Sequence, residues 1–193
     1  MIELQDQISS SSTPVIKSQR IGEVARLALV RWEQRVMMRE GAEVINPRTG
    51  KARHELLIHG LAMAGTTASA GIGELQAVPG PGTPCRFILR GGGYGQWIEA
   101  RKSHRGGRLL VGDVVVRAVE YAQAYDAAGA PKGSRISDQA EVDRLPRSTT
   151  VGFYGPIRIE PGSDPAVIAA AEAAYRAWQD SQRISADDPD EFA

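Results

Sequence analysis

Apolar residues recur at three- and four-residue steps early in the chain, at Ile21, Val24, Ala25, Ala28, Trp32 and Val36. That spacing predicts a helix running from Ser18, a suitable cap, to about Glu40, with Gly41 placed to stop it. After the turn-forming Asn46-Pro-Arg-Thr-Gly50 a second helix is predicted from Ala52 to Ala64, with Leu56, Leu57, Leu61 and Met63 as its apolar content. Gly65 to Pro84 reads as a long loop or internal boundary, because Pro79-Gly-Pro-Gly-Thr-Pro84 can continue neither a helix nor an interior strand. Short strands are predicted at Cys85–Arg90 and Gln96–Arg101, joined as a hairpin through Gly91–Gly95, with a third at Arg108–Val111.

Asp113 to Ala128 carries two signals. Val114–Val116 favours a strand, whereas Ala122, Ala124, Ala127 and Ala128 favour a helix that Asp113 would cap and Gly129 would stop, and helix is the prediction taken. Gly129–Gly133 is a loop, Asp138–Leu145 a short acidic segment ended by Pro146, and Thr149–Glu160 extended structure broken at Gly155-Pro156. The last helix has Ser163 or Asp164 as cap and Pro165 in its first turn, with Val167, Ile168, Ala171, Ala174, Tyr175 and Trp178 as one stripe. Residues 1–14 read as a flexible arm and 183–193 as an acidic flexible tail. The pattern therefore predicts an α+β domain over residues 15–182. A small antiparallel sheet, from about residues 85–111 and 149–160, would pack with N-terminal and C-terminal helices.

Composition adds little beyond a normal core: 42% of the 193 residues are hydrophobic and 24% charged. No apolar run approaches a membrane span, the start lacks the order of a signal peptide, and one cysteine excludes an internal disulfide. A cytoplasmic location is the expectation from these facts. Charge sharpens the picture more. The net charge is zero, yet residues 17–53 and 86–108 each sum to +5 while residues 160–193 sum to −6. Such asymmetry points to basic surfaces that meet an anion, or to an acidic tail that competes for them.

Familiar catalytic and cofactor patterns do not fit. His54-Glu-Leu-Leu-Ile-His59 spaces its histidines five apart, where a zinc helix needs four, and no cofactor or metal is expected. Gly91-Gly-Gly-Tyr-Gly95 lacks the following helix of a dinucleotide fingerprint, and no Walker lysine follows it. Cys85 with His104, or Ser103 with His104 and Asp113, sit in no recognisable nucleophile turn. A helix-turn-helix over Asp138–Val151 is opposed by Pro146 in its turn and by Gly152, Gly155 and Pro156 in its second helix.

The basic, glycine- and aromatic-rich stretch from Arg86 to Arg108 carries the functional expectation. Glycines let backbone approach a partner, and arginines and rings hold phosphates and bases. The residues singled out are Arg90, Gly92, Tyr94, Trp97, Arg101, Lys102, Arg105 and Arg108, with Arg20, Arg26, Arg31, Arg35 and Arg39 as a second contact area. They describe a non-enzymatic accessory or regulatory protein that binds DNA or RNA through a basic hairpin. Phe87, Trp97 and Ile98 also fit a hairpin core. The alternative is a structural or assembly protein that docks onto its own copies, or onto partner proteins, through glycine-rich loops and mobile termini.

Overall fold

The computed structural model describes residues 13–46, 49–72 and 75–186. Strands β1 (Val15–Lys17), β2 (Val24–Val36), β3 (Met38–Arg39), β4 (Ala42–Glu43), β5 (His54–Ala62), β6 (Ser69–Ile72), β7 (Leu75–Ala77) and β8 (Pro84–Arg90) lead into helix α1 (Gly92–Ser103). There follow a 3-10 turn at Arg105–Gly107, then β9 (Val114–Ala118), β10 (Tyr121–Tyr125), β11 (Pro131–Ile136) and the short helix α2 (Gln139–Asp143). The chain continues with β12 (Thr150–Tyr154), β13 (Ile157–Glu160) and helix α3 (Pro165–Ala186). Eight strands form one mixed sheet in the order β13-β9-β2-β5-β8-β1-β6-β7, beside a three-stranded sheet β11-β10-β12 and the hairpin β3-β4.

The fold is therefore sheet-dominated, and the expectation of a small sheet packed with N- and C-terminal helices is overturned. The predicted first helix is β2, and the reason for the error is a bulge. Pairing of β2 with β5 shifts between Leu29 and Arg31, which re-phases the alternation and leaves apolar residues at spacings that resemble a helix. Ala25, Leu27 and Leu29 face the core, while Ala28 and Val30 lie beneath α3, so this part of the strand is buried on both sides. The predicted second helix is β5, buried almost end to end, and a strand covered on both faces shows no period of two. Residues 113–128 form β9 and β10. Ala122 and Ala124 alternate inward against Tyr121, Gln123 and Tyr125, and pairing outweighs alanine's helical preference.

The hairpin prediction holds for β8 and fails beyond it, because residues 92–103 form α1 despite three glycines. Tertiary packing overrides propensity here: Trp97 is fully buried in the core beside Phe87, Leu56 and Leu27. Truncating an aromatic so placed costs about 3–5 kcal/mol. The loop predicted at 65–84 contains β6 and β7, and residues 108–111 form no strand but an irregular segment that enters a turn at Val111. Extended structure at 149–160 appears as β12 and β13, broken at Gly155-Pro156, where an added methyl would run into the carbonyl oxygen of Ala118. The final helix forms as predicted. Asp164 Oδ1 accepts from the backbone N–H of Ala166 at 2.9 Å, and Ala171 and Ala174 pack on Ala28, Val30 and Leu61.

Three features position the site. The bulged strand β2 runs past the end of β9, whose pairing stops at Ala28, so its far half is bordered by β5 alone among the named strands. Helix α1 starts at the end of β8 and reaches β13, where His104 Nδ1 lies 3.1 Å from the carbonyl oxygen of Ile159. The excursions at 37–53 and 119–156 emerge near the same end of β5 and β8. Among the described residues no helix is long and apolar enough to cross a membrane. The expected arm falls mostly outside the described residues; of the tail expected over 183–193, residues 183–186 continue helix α3 and the rest lie outside the described residues.

Candidate nucleic-acid interface

Residues directly opposite in a ladder project to the same side of a sheet. The registers of β2, β5 and β8 therefore build a grid of three rows on the face away from the main core: Arg31–His59–Arg86, Glu33–Leu57–Ile88 and Arg35–Glu55–Arg90. Four arginines and two glutamates surround a buried leucine and a half-buried isoleucine.

The third row is a clamp. Glu55 is buried; its Oε1 accepts from Arg35 Nε and its Oε2 from Arg90 Nε, each at 2.7 Å. Burial opposes the charge on Glu55, but the hydrogen bonds and charges of Arg90 and Arg35 outweigh it and hold the carboxyl below its usual range. Each arginine spends Nε on the glutamate, and about half of each side chain stays exposed. One buried acid thus fixes two guanidinium groups at the surface with a surplus positive charge.

In the first row, burial and the neighbouring Arg31 push His59 down to about 4, with Arg86 adding to the effect and Glu33 opposing it. His59 is accordingly neutral near pH 7. Its Nε2 lies 3.4 Å from Glu33 Oε1, and its buried Nδ1 has no hydrogen-bond partner. Arg31 donates to Glu33 at 2.9 Å and stacks over the Trp178 ring, 4.8 Å from its centroid.

Where the third row ends, a cleft of about 670 Å³ opens. Its walls include Arg53 from the first excursion, Arg90, Gly92 and Tyr94 from the β8–α1 junction, and Tyr154 from the second excursion. Tyr94 donates its hydroxyl to Gln34 Oε1 at 2.8 Å. The Tyr154 ring stacks on Tyr121 at 5.5 Å between centroids, and Arg135 lies 4.6 Å over the other ring of that pair.

The residues singled out from sequence divide into three sets. Arg90, Gly92 and Tyr94 meet at the cleft. Trp97 is core and offers no face for stacking; its ring lies 6.2 Å from Trp32. Arg101, Lys102, Arg105 and Arg108 lie at the far end of α1, about 18 Å along a twelve-residue helix. There Arg101 sits over Trp32 and donates to Gly107 O, Lys102 pairs with Glu99, and Arg105 lies 3.4 Å from buried Asp113; Arg108 is exposed.

Of the second area, Arg31 and Arg35 enter the grid, but on a strand. Arg26 pairs with Glu160, Arg20 with Asp143 and Arg39 with Glu40. Sequence reasoning missed Arg53 and Tyr154, weighed Glu55 and His59 only as part of a zinc motif, and named Arg86 only as the start of the basic stretch. Assigning β5 as a strand would have exposed the alternation of Glu55, Leu57 and His59.

Alternative chemistries find no geometry. The helix that the Gly91–Gly95 pattern was expected to lack does follow β8, as α1, but β8 and β9 are neither adjacent nor parallel, so no dinucleotide-binding βαβ unit forms there. His54 and His59 stand on opposite sides of β5, and no metal-holding cluster of His, Cys, Asp or Glu occurs among the described residues. His104 and Asp113 do meet, Nε2 to Oδ2 at 3.0 Å, but the other ring nitrogen faces Ile159 O and Ser103 Oγ bonds Glu99 O. Neither nitrogen is left to take a serine proton. Burial pushes the Cys85 thiol up to about 11, so it is no ready nucleophile. The Asp138–Val151 segment gives α2 and then β12, without a second helix. No known protein family, curated protein or solved structure matches this chain.

Proposed function

We propose that this chain binds single-stranded nucleic acid, DNA or RNA, on the β2–β5–β8 face, as a non-enzymatic accessory or regulatory protein. The observation that carries the reading is the Glu55 clamp: two guanidinium groups held 2.7 Å from one buried carboxylate and left half-exposed at one end of the grid. Such groups meet phosphates at low entropic cost because the fold has already oriented them. The tyrosines of the adjoining cleft, Tyr94 packed at the edge of the core and Tyr154 stacked on Tyr121, are side chains of the kind that stack bases without regard to sequence. The strand order β13-β9-β2-β5-β8, with a helix between β8 and β9, also resembles the five-stranded OB barrels, whose strand face and flanking loops hold oligonucleotides or oligosaccharides. Fold likeness alone assigns no activity; the clamp and the cleft residues do the binding proposed.

The test is anisotropy of labelled twenty-residue oligo-dT and oligo-U over a range of salt. Affinity should fall steeply with salt. The triple variant Arg35→Gln/Arg90→Gln/Glu55→Gln, which removes the clamp without stranding a buried acid, should bind about tenfold more weakly. Its salt slope should be shallower by about 1.4, at about 0.7 per lost phosphate contact. No binding at low salt would sink the reading.

The assembly alternative draws support from the opposite end of the sheet. There β7 is the outermost strand among the described residues, with Ile72 and Val78 exposed nearby, and an outer edge of that kind can pair with other chains. Concentration-dependent oligomers in sedimentation, without oligonucleotide binding, would favour it.

A further inference from the structure

The cleft beyond the third row is built from three segments far apart in sequence, and these surround a void instead of packing together. Its volume, about 670 Å³, lies in the range of small-ligand sites. Three of its groups are held in place by contacts behind them. The Tyr94 hydroxyl is tied to Gln34, the Tyr154 ring is stacked on Tyr121 with its hydroxyl against that of Tyr125, and Arg90 is clamped by Glu55. The Gly91–Gly92 backbone presents no side chain between them, so a ring can approach closely.

We infer that this cleft receives one unstacked nucleotide of the bound strand, its base against Tyr94 and Tyr154 and its phosphate on Arg90 and Arg53. The inference rests on the single-strand reading above. A base inside a duplex is stacked on both sides and cannot enter, so the cleft selects single strands. Stacking on fixed rings is tolerant of base identity, and the two arginines supply the charge that rings lack.

The experiment compares Tyr94→Leu/Tyr154→Leu with wild type on oligo-dT of twenty residues and on an abasic sugar–phosphate strand of the same length. Loss of the ring faces should weaken oligo-dT binding on the order of tenfold, with the salt slope unchanged. The abasic strand should bind both proteins equally. Tyr94→Phe/Tyr154→Phe keeps the faces and should retain oligo-dT affinity within about twofold, which controls for a folding defect in the leucine variant. Salt-dependent oligo-dT binding that the leucine changes leave untouched would overturn the cleft while the arginine face stood. A loss of affinity in the phenylalanine variant as large as in the leucine variant would also overturn stacking, and no oligonucleotide binding by wild type would overturn both.

Discussion

Two arginine-rich regions flank α1, and by charge count they look alike. At its start Arg35 and Arg90 share the single acid Glu55; at its end Arg105 faces Asp113, Lys102 faces Glu99, and Arg101 lies over Trp32. The difference lies in what the acid does. Glu55 is buried beneath two half-exposed guanidinium groups, so it holds them up and leaves charge over. Asp113 is buried among His104, Arg105 and the Leu110 N–H, so it braces the 104–113 turn from within, while His104 Nδ1 reaches Ile159 O on β13. That turn needs positive φ at Arg105, Gly106 and Gly107, and the Asp113 contacts hold it in shape. One basic cluster serves a surface; the other serves a fold.

The contrast can be broken first at Asp113. Asp113→Asn removes the charge that His104 and Arg105 face in a buried setting, and should lower unfolding free energy in urea by about 3 kcal/mol. Oligonucleotide affinity per folded molecule should change less than about twofold. A variant of normal stability and weakened binding would reverse the roles assigned to the two ends.

Acid should act through the grid. His59 has a folded pKa of about 4, below its ordinary 6.5, so between those values the unfolded chain takes up a proton that the folded one refuses. Stability is therefore full above pH 6.5 and falls as pH drops towards 4. Glu55, also held low, adds a loss in the same direction. Thermal melts across this range should show the decline, and His59→Gln should flatten it; an unchanged slope would contradict the burial argument. The smallest effect is expected from Arg101→Gln/Arg105→Gln. In the anisotropy assay it should cost under about twofold in affinity, against about tenfold for the clamp variant.

Much of the fold was hidden in the sequence for identifiable reasons. The bulge at Leu29–Arg31 disguised β2 as a helix, and burial on both faces removed the alternation from β5. Once those strands were misassigned, Arg31 and Arg35 fell on a helix and Glu55 had no visible partner. The C-terminal helix was legible because its cap, its first-turn proline and its stripe agree with its packing. Within the site, Arg90, Gly92 and Tyr94 were legible because they are local to one glycine-rich junction. Their partners Arg53, Glu55 and Tyr154 come from strands and excursions that only long-range pairing brings together.

The central claim is a location, and an amide chemical-shift titration with a ten-residue oligo-dT tests it most directly. Shifts should concentrate on residues 31–36, 54–59 and 86–94 and on Tyr154, and leave 101–108 nearly still. Shifts centred on 101–108, with the three strands unmoved, would contradict the account.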